Sequence, residues 1–422
     1  MRRDLDGNMT GPSRSRDPRV LVLDGNSQAS LSVARSLNRR GVAIDVDAVR
    51  PGSIGSRSRH VEAAFLSPDP AVDPDGFVDA LLDRLSDGAY DAVIPTRDDT
   101  TMVVVKNKDR LAATGTTVGV EDWERFRLVV DKGKTFEMAA DLSVPTPTTR
   151  APESVAEAEA VADDFSYPVV VKSRSKHVWV DGDRLDTQLV DDDHYADSPT
   201  ALVETYRRLL AENESFRQTP PLVQEYVPGQ TTTTVGVADD GTFLTHFQER
   251  RLRTTPASGG SSTLIRGFRD ERLRDHAAEV VAELGWTGPI QVEFMWTPDD
   301  EFVLIEVNGR YWGSTPLAVA SGVDIPAVHY AQLTGATPQP PTGYRDDVVH
   351  QRLFYGDLKW LGEKLADGNY WALVPFTAAL ICADQVFFSA EDPGPTIATV
   401  RQAAALGTAG LADAVRARVP GQ

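Results

Sequence analysis

From residue 19 onward, short apolar runs alternate with stretches whose apolar residues recur at helical spacing. RVLVLDGNSQASLSVARSLNRRGVAIDVDAV contains an apolar run, a glycine-bearing turn, an amphipathic stretch with Leu31, Val33, Ala34 and Leu37, a stop at Gly41 and a second apolar run. This pattern predicts a β-α-β unit. A further helical stretch, FVDALLDRL (77–85), precedes the apolar DAVIPT (91–96), so a parallel sheet of Rossmann type is expected up to about residue 120. The turn GNSQAS lacks the G-x-G-x-x-G spacing that brings backbone amides against a pyrophosphate, which argues against a dinucleotide site there. Residues 1–18 are polar and without period, and a disordered tail is expected.

Residues 123–150 read as helix followed by a Pro- and Thr-rich loop. A second β-rich section contains YPVVVKS (167–173), PPLVQEYVPG (220–229), TTTTVGVA (231–238) and TFLTHFQERRL (242–252). Ser198 and Pro199 form an N-cap and N1 pair for a helix before the second of these. After the loop TTPASGGSST (254–263), a helix closes at Gly285, and PIQVEFMWTPDDEFVLIEVN reads as a hairpin. A Pro/Gly-rich joint (334–344) precedes a last segment rich in aromatic residues.

At 422 residues with 41% hydrophobic content, the chain can build more than one core. Its net charge of -19 opposes general affinity for nucleic acid or anionic lipid and leaves small molecules as the expected partners. The single cysteine, Cys382, forms no internal disulfide, no apolar signal core stands at the N-terminus, and a cytoplasmic location is expected. Within ALICA, Cys382 reads as a small buried hydrophobe. The apolar stretch 370–383 is shorter than the ~20 residues of a spanning helix and is expected in a core or an interface.

The hairpin carries the first chemical signal. Glu306, Asn308 and Arg310 occupy alternate positions, so they project from one face of a strand. A four-residue loop at 297–300 would set Trp296 opposite Glu301 and Gln291 opposite Glu306, with Glu293 on a near diagonal. Two carboxylates within ~4 Å repel by about 4 kcal/mol at an effective dielectric of ~20. A hard divalent cation such as Mg²⁺, held by carboxylates, an amide oxygen and nucleotide phosphates, would relieve that repulsion. The alternative is a solvated strand face with an ordinary ion pair.

Several stretches in order now carry a resemblance: Asp131-Lys132 opening a helix, Lys172 ending an apolar strand, the hinge-like VQEYVPG, and E-x-F followed thirteen residues later by E-V-N-G-R. Together they resemble the ATP-grasp superfamily, of the carboxylate-amine ligase or carbamoyl-phosphate-synthase-like kind, over residues 19–335. The resemblance implies an α/β and α+β multidomain chain. After the tail come a Rossmann-like pre-ATP-grasp domain (19–122), a two-lobed ATP-grasp domain (123–338, small lobe about 145–228) and a C-terminal α-rich extension (339–422).

The resemblance also implies roles. Lys132 and Lys172 would face the ATP phosphates. Glu225, Tyr226 and Val227 would form the hinge, with Glu225 and Val227 reading the adenine edge. Glu293, Glu306 and Asn308 would hold Mg²⁺, with Mn²⁺ as a substitute, and Arg310 would steady an acyl phosphate. The loop SGGSS (258–262), with Arg251 and Arg253 before it, resembles the segment that closes over the acceptor. Two departures stand out. SRSKHVWVDGDRL replaces the expected glycine-rich triphosphate flap, with Arg174 and Lys176 as substitutes for its amides, and Gln230 with Thr231 to Thr234 occupies the place of the ribose-holding acid. The expected activity is ATP-dependent joining of a carboxylate to an amine. Bicarbonate phosphorylation and a non-catalytic ATP-binding role are the alternatives, and a homodimer is left open.

Overall fold

The computed structural model describes residues 17–87, 90–181, 184–188, 190, 192–256 and 260–404. The expectations for the first sixteen residues, for Ser258 and Gly259, and for the last eighteen fall outside them. The N-terminal unit is a five-stranded parallel sheet in the order β3-β2-β1-β4-β5. Its strands are β1 (Arg19–Val22), β2 (Ala43–Ala48), β3 (Ala63–Leu66), β4 (Ala92–Ile94) and β5 (Thr117–Val118). Val20 and Val22 pack into one apolar cluster while Leu21 and Leu23 pack into another, which is why β1 reads as an unbroken apolar run. Helices α1 (Gln28–Asn38), α2 (Pro74–Ser86), α3 (Asp98–Lys106) and α4 (Lys108–Ala112) cross over it. Ser27 caps α1 by accepting from Ser30 N, and Asp73 caps α2 with Pro74 in the first turn. The strand order reverses between β1 and β4, and the diverging connections open a crevice at their carboxyl ends.

Helices α5 (Trp123–Val130) and α6 (Lys132–Ala139) then lead into a small four-stranded sheet in the order β10-β7-β11-β6. It comprises β6 (Thr149–Arg150), β7 (Val169–Lys172), β10 (Tyr195–Ala196) and β11 (Leu222–Glu225). A separate ribbon, β8 (His177–Val180) with β9 (Arg184–Thr187), follows β7 where the flap was expected. Helices α7 (Val155–Ala160), α8 (Pro199–Glu212) and α9 (Glu214–Gln218) accompany this sheet, and Ser198 caps α8 as its Ser-Pro pair predicts.

The third sheet has seven strands in the order β16-β15-β12-β13-β14-β17-β18. These are β12 (Gln230–Asp239), β13 (Thr242–Thr255), β14 (Ser261–Phe268), β15 (Gly288–Trp296), β16 (Phe302–Asn308), β17 (Val349–Gln351) and β18 (Asp384–Gln385). On one face Val292 and Phe294 pack against Leu273, Ala277 and Val280 of α10 (Glu271–Leu284), which ends at Gly285 with φ 55°. On the other, Val235 and Phe247 meet α11 (Thr315–Ala320) and α12 (Ile325–Leu333). Of the stretch expected as loop 254–263, Thr254 and Thr255 belong to β13 and Ser261 to Thr263 to β14, because β14 pairs along β13.

The hairpin register differs from the sequence expectation. Trp296 pairs with Phe302, which leaves residues 297–301 as the loop. A loop of odd length would turn Glu306 away from Glu293, but the extra residue Ile305 forms a bulge between Glu293/Glu306 and Phe294/Leu304. The bulge sets Glu293 directly opposite Glu306, and Gln291 opposite Asn308.

The C-terminal segment does more than add helices α13 (Leu358–Ala366) and α14 (Leu373–Cys382). It supplies β17 and β18 to the large sheet, and Val386, Phe387 and Ala398 pack on Leu31 and Ile54 of the N-terminal unit. Asp392, 1% exposed, clasps that contact by accepting from Ser58 Oγ at 2.7 Å, Arg35 Nε at 2.9 Å and Arg59 N at 3.0 Å. Cys382 is exposed rather than buried, because α14 turns most of its apolar residues to solvent and buries only Phe376.

Gly309 sits where a Cβ would lie 2.3 Å from Trp286 Cη2 and 3.1 Å from Val129 Cγ2, with Trp286 locked in the core. We expect Gly309→Ala to cost about 1–3 kcal/mol through overpacking. Gly313→Ala, with open space around it, should leave the denaturant midpoint unchanged; equal midpoints for both variants would contradict this packing.

Candidate active site

The site begins with the two acids that the bulge aligns. Glu293 is 8% exposed, and the side chain of Glu306 is 29% exposed, so one acid is buried and the other half-buried. Each is met by a cation from another element. Lys132, the first residue of α6, places Nζ 2.8 Å from Glu306 Oε1, and Arg251 of β13 donates from Nη2 to Glu293 Oε2 at 2.6 Å. Asp131 fixes the start of α6 by accepting from the amides of Gly133 and Lys134. Lys132 N donates to Arg174 O, which ties this helix to the strand end of the small sheet.

Lys172 reaches the same place from β7. It is buried, its Nζ lies 5.7 Å from the centre of the Phe136 ring, and among the described residues it has no hydrogen-bond or ion-pair partner. Burial, helped by repulsion from Lys132, pulls its ammonium down to about 7. Burial pushes Glu306 up, but the attraction of Lys132 and Lys172 outweighs it and holds that carboxyl at about 2. Burial and the nearby Glu306 raise Glu293 despite Arg251.

Arg310 closes the constellation. Its guanidinium pairs with Asp98, the first residue of α3, through Nε to Oδ1 and through Nη2 to Oδ2 at 3.1 Å. It also donates to Asn308 Oδ1 at 3.3 Å and to Tyr311 O at 2.7 Å. Asn308 Nδ2 in turn donates to Gln291 Oε1 at 3.3 Å. Although burial acts in the opposite direction, Arg310 and Lys176 hold Asp98 well below the usual carboxylate range. Asp98 was missed in the sequence; its signal was the polar triplet Arg97-Asp98-Asp99 after a parallel strand. Glu249 was missed as well: paired to Thr233 as Glu293 is, it shares the acids' face, accepts from Ser314 Oγ and leaves Oε2 buried with no hydrogen-bond partner among the described residues.

Other candidates lie elsewhere. Glu225 ends β11, its carboxylate accepting from Ser166 N at 2.9 Å and Thr148 N at 3.4 Å, so it braces the small sheet. Tyr226, whose amide donates to Pro168 O, and Val227 follow on the segment joining the small sheet to the large one. Gln230 donates to Arg251 O at 2.8 Å and, two residues before Thr232, sits on the α10 side of β12, away from the acids. Arg253 is committed to a buried pair with Asp357 at 2.8 Å and to the Trp360 ring, 4.2 Å from its centre. Arg174 donates to Pro220 O, whereas Lys176 lies at the site itself, its Nζ 3.4 Å from Asp98 and beside the cleft of Lys132, Glu306 and Asn308.

The residues brought together are therefore Lys132, Lys172, Arg251, Glu293, Glu306, Asn308 and Arg310, with Asp98 added. Two facing carboxylates beside an amide oxygen fit Mg²⁺, which commonly takes one or two carboxylates and completes its shell with phosphate or water oxygens. Among the described residues no group of three or more His, Cys, Asp and Glu is placed to hold a metal ion. On one side of Arg310 a narrow cleft holds Lys132, Glu306 and Asn308; on the other a cavity of about 440 Å³ opens toward α1 and the start of α3.

A Rossmann-like unit, a small antiparallel sheet and a large one carrying paired acids together define the ATP-grasp fold. Solved structures agree. Biotin carboxylase from Campylobacter jejuni matches with a TM-score of 0.63 at 14% identity, covering 79% of this chain and 74% of that one. L-amino acid ligase from Bacillus licheniformis matches at 0.58 and 14%, covering 78% and 76%. N5-carboxyaminoimidazole synthetase from Staphylococcus aureus matches at 0.59 and 11%, covering 79% and 80%.

Within that class, residues 247–336 match the family model of the carbamoyl-phosphate synthase L chain, ATP binding domain. Those residues contain β15, β16 and the acids Glu249, Glu293 and Glu306, but not Asp98. The carbamoyl phosphate synthase large chain of Rubrobacter xylanophilus is 26% identical over 225 residues, 50% of this chain and 19% of that protein. That of Corynebacterium glutamicum is 25% identical over 237 residues, 54% and 20%. The chain spans only about a tenth to a fifth of the length of the curated relatives it matches.

Glu249 yields a pH test. Burial pushes its carboxyl from 4.5 up to about 7, against the pull of Ser314 and Arg251. Between those values the folded chain keeps a proton that the unfolded chain releases, so this residue's contribution to stability falls as pH rises from 4.5 through 7. Glu249→Gln removes the effect, and its stability relative to the parent should grow by up to ~3 kcal/mol between pH 4.5 and 8 in urea melts. A difference independent of pH would contradict the assignment.

Proposed function

We propose that the protein is an ATP- and Mg²⁺-dependent ligase that activates a carboxylate as an acyl phosphate and joins it to an amine. The observation that carries this reading is the convergence of Glu293 and Glu306 with Lys132 and Lys172, contributed by different parts of the fold, beside Arg310 at the mouth of a cavity. Glu293, Glu306 and Asn308 would hold the metal, which when bound screens the charge of the triphosphate.

Lys132 and Lys172 offset the remaining phosphate charge, and an arriving polyanion returns Lys172 to its charged form. Arg310, held flat by Asp98, orients the acid's carboxylate toward the γ-phosphorus. Phosphoryl transfer asks for position and charge neutralisation, so no nucleophilic Ser or Cys is required. Displacement of phosphate by the amine then forms the C–N bond. The chain joining β11 to β12 at Tyr226 and Val227 serves as the hinge on which the small sheet closes and excludes water. The biotin carboxylase domain of a 2-oxoglutarate carboxylase from Hydrogenobacter thermophilus, a dimer solved with MgADP, ADP and bicarbonate, supports the ATP and metal reading at a TM-score of 0.59 and 17% identity.

Likeness to biotin carboxylases also favours a second reading in which bicarbonate is the acid. A cavity of about 440 Å³ beyond Arg310 is ample for a larger organic acid and supports the first. Among the described residues no helix is long and apolar enough to cross a membrane, and with the single Cys382 this fits the proposed cytoplasmic location. A homodimer would cover the apolar residues that the C-terminal segment exposes, of which Trp371 is 83% and Ile381 77% exposed. A single monomeric boundary in sedimentation velocity at micromolar concentration would rule that dimer out.

Glu306→Gln should retain the fold by circular dichroism and lower ADP release with pooled acids and amines by at least ~100-fold. Release in the parent should depend on added amine; turnover in the variant at the parent's rate would reject the metal assignment.

A further inference from the structure

Amide formation from an acyl phosphate also needs a proton acceptor. An amine arrives in neutral water as an ammonium ion without a lone pair, and must lose one proton before it attacks and a second afterwards. The carboxylates near Arg310 are engaged already: Asp98 by Arg310 at 3.1 Å and Lys176 at 3.4 Å, Asp99 by Arg97 at 3.1 and 2.8 Å. Glu249 lies 3% exposed beneath Ser314. His177 is placed differently. It opens β8, in the ribbon that stands where the flap was expected, and it lines both the cleft of Lys132, Glu306 and Asn308 and the cavity beyond Arg310. Asp98, Lys176 and Arg310 are the other residues that line both.

The ring is fixed from one side. β8 and β9 pair His177 with Thr187, and Nδ1 lies 3.1 Å from Thr187 Oγ1. Thr187 can accept the hydrogen on Nδ1, which leaves the lone pair on Nε2. Among the described residues Nε2 makes no hydrogen bond, yet it is not walled off in the core. Burial, helped by Lys176 and Arg97, holds the imidazole below its ordinary 6.5 against the pull of Asp98 and Asp99, and Arg310 in the same walls adds positive charge. We propose, on the ligase reading above, that His177 is the base of the amine step and takes a proton through Nε2 from the ammonium group of the incoming substrate. The freed lone pair forms the C–N bond at the acyl carbon beside Arg310, and the bond from that carbon to the phosphate oxygen breaks with its electron pair on the phosphate. The nitrogen's second proton passes to the departing phosphate, giving HPO₄²⁻, and the imidazolium returns its proton to water after product leaves. A base at this junction meets an amine entering through the cavity and an acyl phosphate formed in the cleft.

Assays of the full chain with ATP, Mg²⁺ and pooled carboxylic acids, using either pooled amines or hydroxylamine as the nucleophile, test this. Hydroxylamine is largely neutral at pH 7 and attacks an acyl phosphate without a base to deprotonate it, so hydroxamate reports activation of the acid alone. His177→Asn, which can still bond Thr187, should lower amide formation by about 100-fold or more, the contribution usual for a positioned base. Hydroxamate formation should continue at the parent's rate, and affinity for the magnesium complex of a non-hydrolysable ATP analogue should be unchanged. Continued hydroxamate formation also shows that the variant is folded; if His177→Asn does not fold, His177→Gln repeats the comparison. Amide formation at the parent's rate, an equal loss of amide and hydroxamate, or weaker binding of the analogue would each overturn the proposal, the last by marking His177 as a phosphate contact. Failure of the ligase reading looks different, since the parent itself would then form neither amide nor hydroxamate.

Discussion

Two carboxylates facing each other across neighbouring strands are the constraint from which the rest of the site follows. At ~4 Å and an effective dielectric of ~20, such a pair costs about 4 kcal/mol unless a positive charge intervenes. The fold answers from three directions: Lys132 from a helix start, Arg251 from a strand beyond β12, and Lys172 from the small sheet. Each cation sits on a different element, so the acids act as a gathering point for parts of the chain that are remote in sequence. A catalyst for phosphoryl transfer needs the same arrangement, with charges placed in advance where phosphate charge will lie.

The arrangement also divides the labour between domains. Asp98 comes from the N-terminal unit and Arg310 from just beyond β16 of the large sheet, and their pairing joins the two at the mouth of the cavity. The C-terminal segment seals the far side, held on one flank by the buried Arg253–Asp357 pair and on the other by Asp392 beneath Ser58, Arg59 and Arg35. Burying those charges is tolerable because each guanidinium is paired with a carboxylate, Arg253 with Asp357 and Arg35 with Asp392.

Much of this was legible in one dimension. Strand and helix periodicity located β1, α1, β2, α2 and β4, the Ser198–Pro199 helix start, and the glycine that ends α10. Short or half-exposed strands such as β3, β5 and β17 gave no period, and β14 was hidden inside a Ser- and Gly-rich stretch that looks like loop. The acids were visible because alternation is a local property. Their pairing was not, because it depended on a bulge at Ile305 that restores the face a five-residue loop would have lost.

What the sequence determined by itself is the inventory: which residues are apolar at which period, where caps and breakers stop an element, and which acids, lysines and arginines are available at strand and helix ends. Tertiary structure decided how that inventory was spent. It sent Arg253 into a buried pair and Gln230 to the opposite side of its strand, and it introduced Asp98, marked locally only by a polar triplet after a strand, and Glu249, which no local pattern singled out. The reason is physical: period and capping act over a few residues along the chain, whereas charge and burial act through space between residues that only folding makes neighbours.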